Sequence, residues 1–545
     1  MATDVSALVQ RYRDLRGARG LWETHWQELA DYMLPRRADI VMRRAKGDKR
    51  TERLFDGTAL HAVELLAAAL HGLLTGSSTR WFSLSLRDRS LMGDAEVRAW
   101  LEDAAEIIYE ELGRSNFETE LHELYLDLVT FGTSCMFIEF EDDQLRFATR
   151  HIAEVYLSED KHGRIDSVFR IYKATARQLV QRFGLEKLPP RIQRAFETHP
   201  DNEVDNLLHA VHPRDERKYG ARDARNMPIA SCYIDEASRT LIDESGYNEM
   251  PFVAPRWLKA SGEVYGRSPG MTALPDTKVV NKMSEIMLKA AAKIVDPPIL
   301  VPDDGVVGRW AIAPGALLPY RAGADKPEPL ITKVNLPLGL ELEERRRQAI
   351  NKAFYTDLLQ FAQGPAMTAT EVVQRAEQQL RLLGPVLGRL TAELLQPMID
   401  RTFALLLRAG RIPDAPAMLQ GMDLKVEYQS PLARAQKGER LTGLTRALQI
   451  LMPLAQVLPV MDHIDPDATV DEVLRQTGVP ASVQRSRRDV ARVRGERAQA
   501  EQAMAQQQQT MMAVEGAGAL AKAGKDADVD LAGVLGLPAR GAGAA

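Results

Sequence analysis

Residues 265–305 read YGRSPGMTALPDTKVVNKMSEIMLKAAAKIVDPPILVPDDG, and this stretch decides how the chain is organised. Its apolar residues recur at intervals of three and four between 271 and 295, which predicts one long helix. Proline cannot continue a helix, and a cluster of prolines follows at once, at Pro297, Pro298 and Pro302. We therefore expect the helix to end just before this cluster.

A second helix is predicted beyond the prolines. It begins near Leu340 with the charged run 341–347 and stops around Phe361. Between the two helices, residues 299–334 contain short apolar runs broken by Pro and Gly, which is typical of a small β-rich insert. The pattern predicts a hairpin of two helices that carries a compact insert at its head.

The residues before this hairpin predict several helices. Helical spacing covers residues 4–34 and about 59–74. Two further helices have N-terminal signals: Asp94 can cap one, and Ser115 with Glu118 forms a capping box for the other. The first part of the chain is therefore expected to be mostly helical.

From Cys135 the spacing of apolar residues changes from near 3.6 to near 2. The segments CMFIEF, LRFATR, EVYLS and DSVFRIYK are separated by polar turns and predict one antiparallel sheet. Thr175 and Gln178 form a capping box for a short helix that ends at Gly184, and two further strands are predicted in PIASCYIDE and RTLIDES. Residues 1 to about 260 are therefore expected to be an α+β body.

The C-terminal part is expected to be helical. Thr368 and Glu371 make a capping box that opens a long helix, which Pro385 and Pro397 should kink. Beyond Arg485 the chain is rich in Arg, Glu, Gln and Ala and has few large apolar residues. Such a segment cannot pack alone, so we expect it to be disordered or helical only in an assembly.

The charge balance excludes some classes of protein. The 545 residues include 70 Lys and Arg and 75 Asp and Glu, which gives a formal net charge of -5. This excludes a polybasic nucleic-acid coat and a very acidic mimic, but it allows local charged stripes. Only two cysteines occur, Cys135 and Cys232, which cannot build a disulfide framework or a four-cysteine zinc site.

Membrane insertion and export are not expected. The longest apolar stretch, residues 62–74, is interrupted by Glu64 and His71 and is shorter than the ~20 residues that a span needs. The N-terminus has no signal-peptide core. We expect a soluble intracellular protein in a reducing compartment.

No motif for catalysis, a metal or a cofactor is found in the sequence. It has no P-loop, metalloprotease helix motif, nucleophile elbow or CxxC pair. His61 and His71 lie on a very apolar helix, where packing or capping is the simpler explanation. Asp303 and Asp304 precede Gly305 and are better explained by turn chemistry than by a metal. The protein is therefore not expected to be an enzyme.

The first hairpin helix carries a line of lysines, Lys278, Lys282, Lys289 and Lys293. At ~100° per residue these four fall within a sector of roughly 60°. A neighbouring sector is apolar and can pack, with Met283, Ile286, Met287, Ala290 and Ile294. The lysines are either the solvated edge of an amphipathic helix or a stripe that faces phosphates, if the helix lines a cavity that nucleic acid enters.

The second hairpin helix is followed by a loop of small and apolar residues, Gln363, Gly364, Pro365, Ala366 and Met367. One interpretation is a plain connection between two helices. The other is a mobile loop whose tip is positioned by two rigid helices.

Three separated stretches together resemble a known family. Residues 54–84, LFDGTALHAVELLAAALHGLLTGSSTRWFSL, look like the N-terminal signature of portal proteins, the head-to-tail connectors of short-tailed bacteriophages. Residues 265–305 resemble the first stem helix of that family running into its clip. Residues 363–390, QGPAMTATEVVQRAEQQLRLLGPVLGRL, resemble its tunnel loop and the kinked helix after it. The resemblance runs in consistent order over about residues 5–430.

The resemblance implies a mainly helical α+β fold with a wing, a two-helix stem, a β-rich clip, a long kinked helix and a helical crown. Carried onto this chain, the parts are a wing at 1–265, a first stem helix at 266–295, a clip at 296–338, a second stem helix at 339–361, a tunnel loop at 362–370, a long kinked helix and wing return at 371–430, a crown at 431–484, and a helical barrel or disordered tail at 485–545.

The resemblance also implies a function. Such proteins form a ring, expected to be dodecameric, at one capsid vertex of the virion, after assembly in the host cytoplasm. Double-stranded DNA passes through the ring during packaging and ejection without being read, and the lysines of the stem would face it. The implied protein partners are the terminase large subunit, which holds the motor ATPase, a tail adaptor, and the scaffolding and major capsid proteins. Two alternatives are a DNA-packaging enzyme subunit and an internal capsid core protein.

Overall fold

The computed structural model describes residues 4–42, 44–45, 47–76, 80–86, 91, 94–214, 216–218, 220–221, 223–295, 299–300, 328–329, 336–356, 383–419, 424–428, 443–453, 464–477, 485 and 487–526. The chain divides into two compact units, one within Met1–Arg87 and Trp100–His463 and the other within Asp88–Ala99 and Ile464–Ala545. The fold class is α+β and mainly helical, as predicted.

Helices make up most of the described residues. In chain order they are α1 (Val5–Met33), α2 (Thr58–Leu74), α3 (Ala95–Arg114), α4 (Phe117–Phe131), α5 (Ala176–Phe183), α6 (Pro190–Thr198), α7 (Pro269–Val295), α8 (Leu336–Ala353), α9 (Gly384–Leu390), α10 (Gln396–Arg408), α11 (Pro466–Thr477) and α12 (Arg487–Asp526). Among these described helices, none is long and apolar enough to cross a membrane.

The strands form small antiparallel sheets. In chain order they are β1 (Phe82–Leu86), β2 (Cys135–Glu141), β3 (Gln144–Arg150), β4 (Val155–Glu159), β5 (Ile165–Thr175), β6 (Glu203–Pro213), β7 (Ile229–Asp235), β8 (Thr240–Tyr247), β9 (Phe252–Val253), β10 (Ile299–Leu300), β11 (Glu328–Pro329) and β12 (Leu424–Tyr428). A five-stranded sheet has the order β4-β5-β6-β7-β8, a three-stranded sheet the order β3-β2-β9, and β1 pairs with β12.

Helix α1 covers one face of the five-stranded sheet. Its first turn is capped by Asp4, whose Oδ1 accepts a hydrogen bond from the backbone N–H of Ala7 at 3.1 Å. Tyr12 and its neighbours on α1 pack on Phe169 and Cys232 of the sheet in one buried cluster. Both cysteines of the chain are buried free thiols.

The prediction of one sheet from Cys135 onward is wrong, because the chain changes sheets after β3. A 3-10 turn, Ile152–Glu154, separates β3 from β4. Arg19, buried on α1, donates hydrogen bonds to the carbonyl oxygens of Ile152, Ala153 and Val155 at 2.9, 2.9 and 2.5 Å. The guanidinium therefore holds the corner at which the second sheet begins.

Strand β6 was not predicted from the sequence. Its residues do not alternate, because both faces of the strand are buried: Leu208 packs in the cluster under α1, and Leu207 packs in the cluster on the opposite face. The pairing of β1 with β12 was also not predicted, since Phe82 and Tyr428 are distant in the chain. Periodicity alone cannot detect either feature.

The capping box predicted for Ser115 and Glu118 is wrong. Helices α3 and α4 are separated by only two residues, so Ser115 serves both helices. Its hydroxyl donates to the carbonyl of Leu112 at 2.7 Å and accepts from the backbone N–H of Phe117 at 3.2 Å. Glu118 contacts His71 on α2 instead, at 2.8 Å. The capping box of Thr175 and Gln178 is confirmed.

The long C-terminal helix is interrupted where prolines were predicted to kink it. Pro385 lies in the first turn of α9 and Pro397 in the first turn of α10, and a π turn, Thr391–Leu395, joins the two helices. Glu393 of this turn accepts hydrogen bonds from the buried Arg256, at 3.0 Å from Nε and 2.7 Å from Nη2. The wider turn thus places a carboxylate on a buried cation. The capping box at Thr368 lies outside the described residues.

The second unit contains α11 and α12. Arg494 of α12 makes a bidentate contact with Asp467 of α11, at 2.8 and 2.5 Å. Helix α12 is 40 residues long, and its large apolar side chains are exposed; Met504 and Met511 are 69% and 70% exposed. The chain is therefore helical from Arg487 to Asp526, and the methionines of this helix are exposed.

Two backbones cross at glycines where α4 meets the segment before α7. Gly132 ends α4 with a φ of 79°, and a Cβ placed on Gly266 would lie 2.2 Å from the carbonyl oxygen of Gly132. The same oxygen accepts a hydrogen bond from the backbone N–H of Trp257 at 2.9 Å. Only glycine fits at both crossing positions.

We predict that Gly266→Ala destabilises the protein by about 1–3 kcal/mol, because the added methyl group overpacks this crossing. Gly17→Ala is the matched control, since nothing lies within 4 Å of its Cβ position on α1. Alanine there should stabilise the helix by about 0.5–1 kcal/mol. Urea unfolding of the two variants should give shifts of opposite sign, and equal shifts would contradict the crossing.

Candidate functional site

The lysine-bearing helix α7 begins at a capped end. The hydroxyl of Ser268 accepts a hydrogen bond from the backbone N–H of Met271 at 3.0 Å and donates to the carbonyl of Thr130 at 2.7 Å. Pro269 occupies the first helical position, where its missing N–H costs nothing. The end of α7 at Val295 is confirmed, and its 27 residues span about 40 Å.

Helix α8 runs antiparallel to α7 and packs against it. The buried hydroxyl of Ser284 donates to Glu343 at 2.8 Å, and Arg346 contacts Asp276 at 2.8 Å nearer the start of α7. The prediction that this second helix reaches Phe361 is wrong. Helix α8 ends at Ala353, because Tyr355 has a φ of 57° and turns the chain.

The insert between α7 and α8 begins and ends on a short ladder. Ile299 pairs with Pro329 and Leu300 with Glu328, as the antiparallel strands β10 and β11. These four residues are the part of the predicted β-rich insert that the structure describes. The other insert residues between these strands, including the Asp303–Asp304 pair, lie outside the described residues.

A single asparagine on α7 holds the N-terminal segment against the hairpin. The Oδ1 of Asn281 accepts from the backbone N–H of Phe55 at 2.7 Å, and its Nδ2 donates to the carbonyl of Arg53 at 2.8 Å. Arg347 of α8 contacts Asp56 at 3.0 Å in the same place. The start of the segment that carries α2 is thus fixed to both hairpin helices.

The lysines of α7 do not form a line of unpaired ammonium groups. Lys282 and Lys289 both contact Glu285, at 2.9 and 2.5 Å, and Lys278 contacts Glu28 of α1 at 3.2 Å. The side chains of Lys282 and Lys289 are 65% and 69% exposed, so both lysines also reach solvent. Lys293 lies in the last turn of α7, and its side chain is outside the described part.

Glu285 is the residue that sequence reasoning missed. It lies three residues after Lys282 and four before Lys289, which is the spacing of helical ion pairs and was visible in the sequence. Hydrogen bonds from Lys289 and then from Lys282 lower the pKa of Glu285. The carboxylate therefore stays charged, and the group formed by Lys282, Glu285 and Lys289 has a net charge of +1.

Next to the lysine edge, α7 exposes two apolar side chains, of which Ile286 was expected to pack. Ile286 is 53% exposed and Val279 is 44% exposed. On α8, Leu340 and Leu342 are 56% and 43% exposed. The hairpin therefore leaves part of its apolar surface uncovered within this chain, which is the usual mark of an interaction surface.

The remaining candidates from the sequence contribute no site among the described residues. The loop Gln363, Gly364, Pro365, Ala366 and Met367 lies outside them. His71 pairs with Glu118, and the side chain of His61 is 81% exposed. In the part of the chain that the structure describes, no group of three His, Cys, Asp or Glu residues could hold a metal ion.

Comparisons with known proteins give consistent matches. Residues 5–484 match the model of a family described as bacteriophage head to tail connecting protein. The chain is 32% identical over 520 residues to the portal protein of Salmonella phage epsilon15, covering 92% of this chain and 93% of that one. It is 33% identical over 537 residues to the probable portal protein of Bordetella phage BPP-1, covering 96% of both.

Among solved structures, the chain is similar to one from the neck of an empty gene transfer agent particle. The TM-score is 0.36 at 12% identity, with 74% of this chain and 91% of the other covered.

Proposed function

Because the chain belongs to the bacteriophage head to tail connecting protein family, we propose that it works as a portal subunit. Copies form a ring at one capsid vertex, through which double-stranded DNA enters during packaging and leaves during ejection. The ring also serves as the platform on which the terminase and the tail dock. The main support for this proposal is the length of the family match, which runs through the body, the α7–α8 hairpin and the helices beyond it.

The α7–α8 hairpin is the stem in this proposal, and residues 296–338 between its helices are the clip. Residues 1–265 form the wing, 362–370 the tunnel loop, 371–430 the long helix and wing return, and 431–484 the crown. Helices α7 and α8 are antiparallel and are joined by the hydrogen bond from Ser284 to Glu343, and the ladder at Ile299 lies beyond the end of α7. Both features support a stem that carries a clip. Residues 485–545 are the barrel or the tail of the resemblance, and the exposed methionines of α12 favour the barrel.

The uncovered apolar surface of the stem packs on neighbouring copies. Ile286 and Val279 on α7 and Leu340 and Leu342 on α8 are exposed in the single chain, and a ring brings stems side by side. Burial of apolar surface contributes about 25 cal/mol of stabilising free energy per Å². A closed ring gains this free energy at every contact between neighbouring subunits. We infer a dodecamer, in line with the resemblance.

The lysine edge faces the DNA in this proposal. DNA must be guided and then move on, so the lining has to attract phosphates weakly. Lys282 and Lys289 share Glu285, and a lysine that already holds a carboxylate gains less from a phosphate. The pairing thus keeps the lining weakly attractive, without any readout of base sequence. Lys278 and Lys293 continue the same edge toward the two ends of α7.

The further partners follow from the same role. The clip meets the terminase large subunit during packaging and the tail adaptor afterwards, and the wing meets the scaffolding and major capsid proteins. Assembly takes place in the host cytoplasm, and the ring remains in the virion. The protein performs no catalysis, because the motor ATPase is carried by the terminase. A packaging enzyme subunit or an internal core protein is not favoured by the family match.

Electron microscopy of the purified protein tests the portal role directly. We expect rings of about twelve subunits around a central channel, and no ATPase or nuclease activity in the same preparation. Monomers or filaments, or hydrolysis of ATP that follows the protein through purification, would argue for one of the alternatives.

Charge reversal of the lysine edge tests its contact with DNA. The variant is the double substitution Lys282→Glu/Lys289→Glu in assembled rings. Each lost phosphate contact lowers the magnitude of the slope of log affinity against log salt concentration by ~0.9. Loss of both lysines should therefore lower it by about 2 for each stem that contacts DNA. DNA packaging or retention should be impaired. Binding of short duplexes to assembled rings at several salt concentrations gives the slope, and particle DNA content gives retention.

Two variants control for this experiment. Lys161→Glu, at the exposed turn between β4 and β5, reverses one lysine outside the stem, which is half the charge change of the double variant, and should leave both readouts unchanged. Glu285→Gln releases Lys282 and Lys289 and should strengthen binding. If the stem reversal behaves like the turn reversal, the lysines have no role in the channel.

The tunnel loop has a separate prediction. Deleting residues 364–367 should leave ring assembly intact, since the exposed apolar surface of the stem is unchanged, but DNA should be lost from filled particles. Ring assembly is checked by electron microscopy and DNA retention by nuclease protection. Retention equal to that of the wild type would refute a role for this loop.

A further inference from the structure

The two main sheets of the first unit meet at a seam that the portal role does not use. Strand register places Arg170, His209 and Tyr233 side by side on β5, β6 and β7. The rings of His209 and Tyr233 stack with centroids 4.0 Å apart and planes at 5°. Phe137 of β2 meets His209 edge-on at 5.9 Å. The three-stranded sheet therefore covers this row of side chains.

Three arginines converge on the seam. Arg150 ends β3 opposite Cys135, Arg170 belongs to the row itself, and Arg182 of α5 lies over the ring of Tyr233 at 5.0 Å. Burial is the largest cause that holds the pKa of His209 well below its usual value, and the three arginines lower it further. His209 is therefore neutral and adds no charge to the seam.

Among the residues that the structure describes, two carboxylates lie close to the three arginines, Glu154 and Glu139. Arg170 donates from Nε to Glu154 at 2.8 Å. Arg182 donates to the hydroxyl of Tyr233 at 2.8 Å and lies 3.7 Å from Glu139. The seam therefore carries one positive charge in excess.

Arg150 is the arginine that is left over. Within the part of the chain that the structure describes, it has no hydrogen-bond or ion-pair partner, although its Nε is buried. Its guanidinium lies 5.7 Å from the ring centroid of Phe137, which holds the plane in place. A covered donor on a charged group is costly without an acceptor, so the site lacks an acceptor atom.

The surroundings define what the missing acceptor is. A guanidinium presents a flat fork of donors that matches the two oxygens of a carboxylate or a phosphate. The ring of Tyr172 lies 4.2 Å from the guanidinium of Arg170, so Arg170 is already stacked as well as bonded to Glu154. We propose that Arg150, the arginine of the seam whose side chain has no hydrogen-bond or ion-pair partner among the described residues, binds one oxyanion there.

The oxyanion has two possible sources with the same chemistry, a free phosphate and a carboxylate of a neighbouring copy in the ring. Thermal unfolding of the unassembled subunit and of the ring, in phosphate and in chloride at equal pH and ionic strength, distinguishes them. For a free phosphate, both forms should melt about 2–4 °C higher in phosphate. For a neighbour's carboxylate, only the unassembled subunit should respond, because the ring has already filled the site.

Substitution of Arg150 tests whether this residue is responsible for the response to phosphate. Arg150→Met keeps much of the side-chain volume and should abolish the phosphate response, and Arg150→Lys keeps the charge but loses the fork and should weaken it. If a neighbouring copy supplies the carboxylate, Arg150→Met should also lower the fraction of protein in rings. Arg194→Met, at an exposed position on α6, is the control and should change neither readout.

The proposal is overturned in either of two ways. One is a phosphate response that is the same in wild type and Arg150→Met, which would show that phosphate acts elsewhere. The other is the absence of any phosphate response together with normal assembly of Arg150→Met. The response of the unassembled subunit does not depend on the portal role, so failure of one hypothesis leaves the other intact.

Discussion

The position of the stem depends on one close backbone crossing, between Gly132 at the end of α4 and Gly266 just before α7. A Cβ on Gly266 would lie 2.2 Å from the carbonyl oxygen of Gly132. Beside it, the hydroxyl of Ser268 joins the first turn of α7 to the carbonyl of Thr130. The direction of α7 is therefore set by hydrogen bonds and contacts in the body, and α8 follows because it packs along α7.

Charge pairing limits the positive potential along α7. A chain with a net charge of -5 has no general attraction for phosphates, so local groups decide. On α7 the exposed lysines have carboxylate neighbours, Glu285 for Lys282 and Lys289 and Glu28 for Lys278. Exposed pairs of this kind contribute little to stability. Their physical consequence is a lysine edge of moderate potential, as the proposed contact with DNA requires.

Much of the helical fold could be predicted from the sequence, because caps and breakers act locally. The prolines after α7 and the capping box of Thr175 lie within a turn of the structure that they control. The arrangement of the sheets was harder to predict from the sequence. The change of sheet after β3 depends on Arg19, more than 130 residues away from the carbonyls that it binds, and β6 shows no alternation because both its faces are buried.

By itself, the sequence determined the helix–insert–helix order, the lysine spacing and the family, because local periodicity and motif order are written along the chain. Only the tertiary structure decided which charges are neutralised and which apolar side chains remain uncovered. Glu28 reaches Lys278 from another helix, and Ile286 stays exposed beside a packed partner helix. Among the described residues, no carboxylate pairs with Arg150. Each outcome depends on distances between segments that are far apart in the chain, and spacing along the chain does not contain those distances.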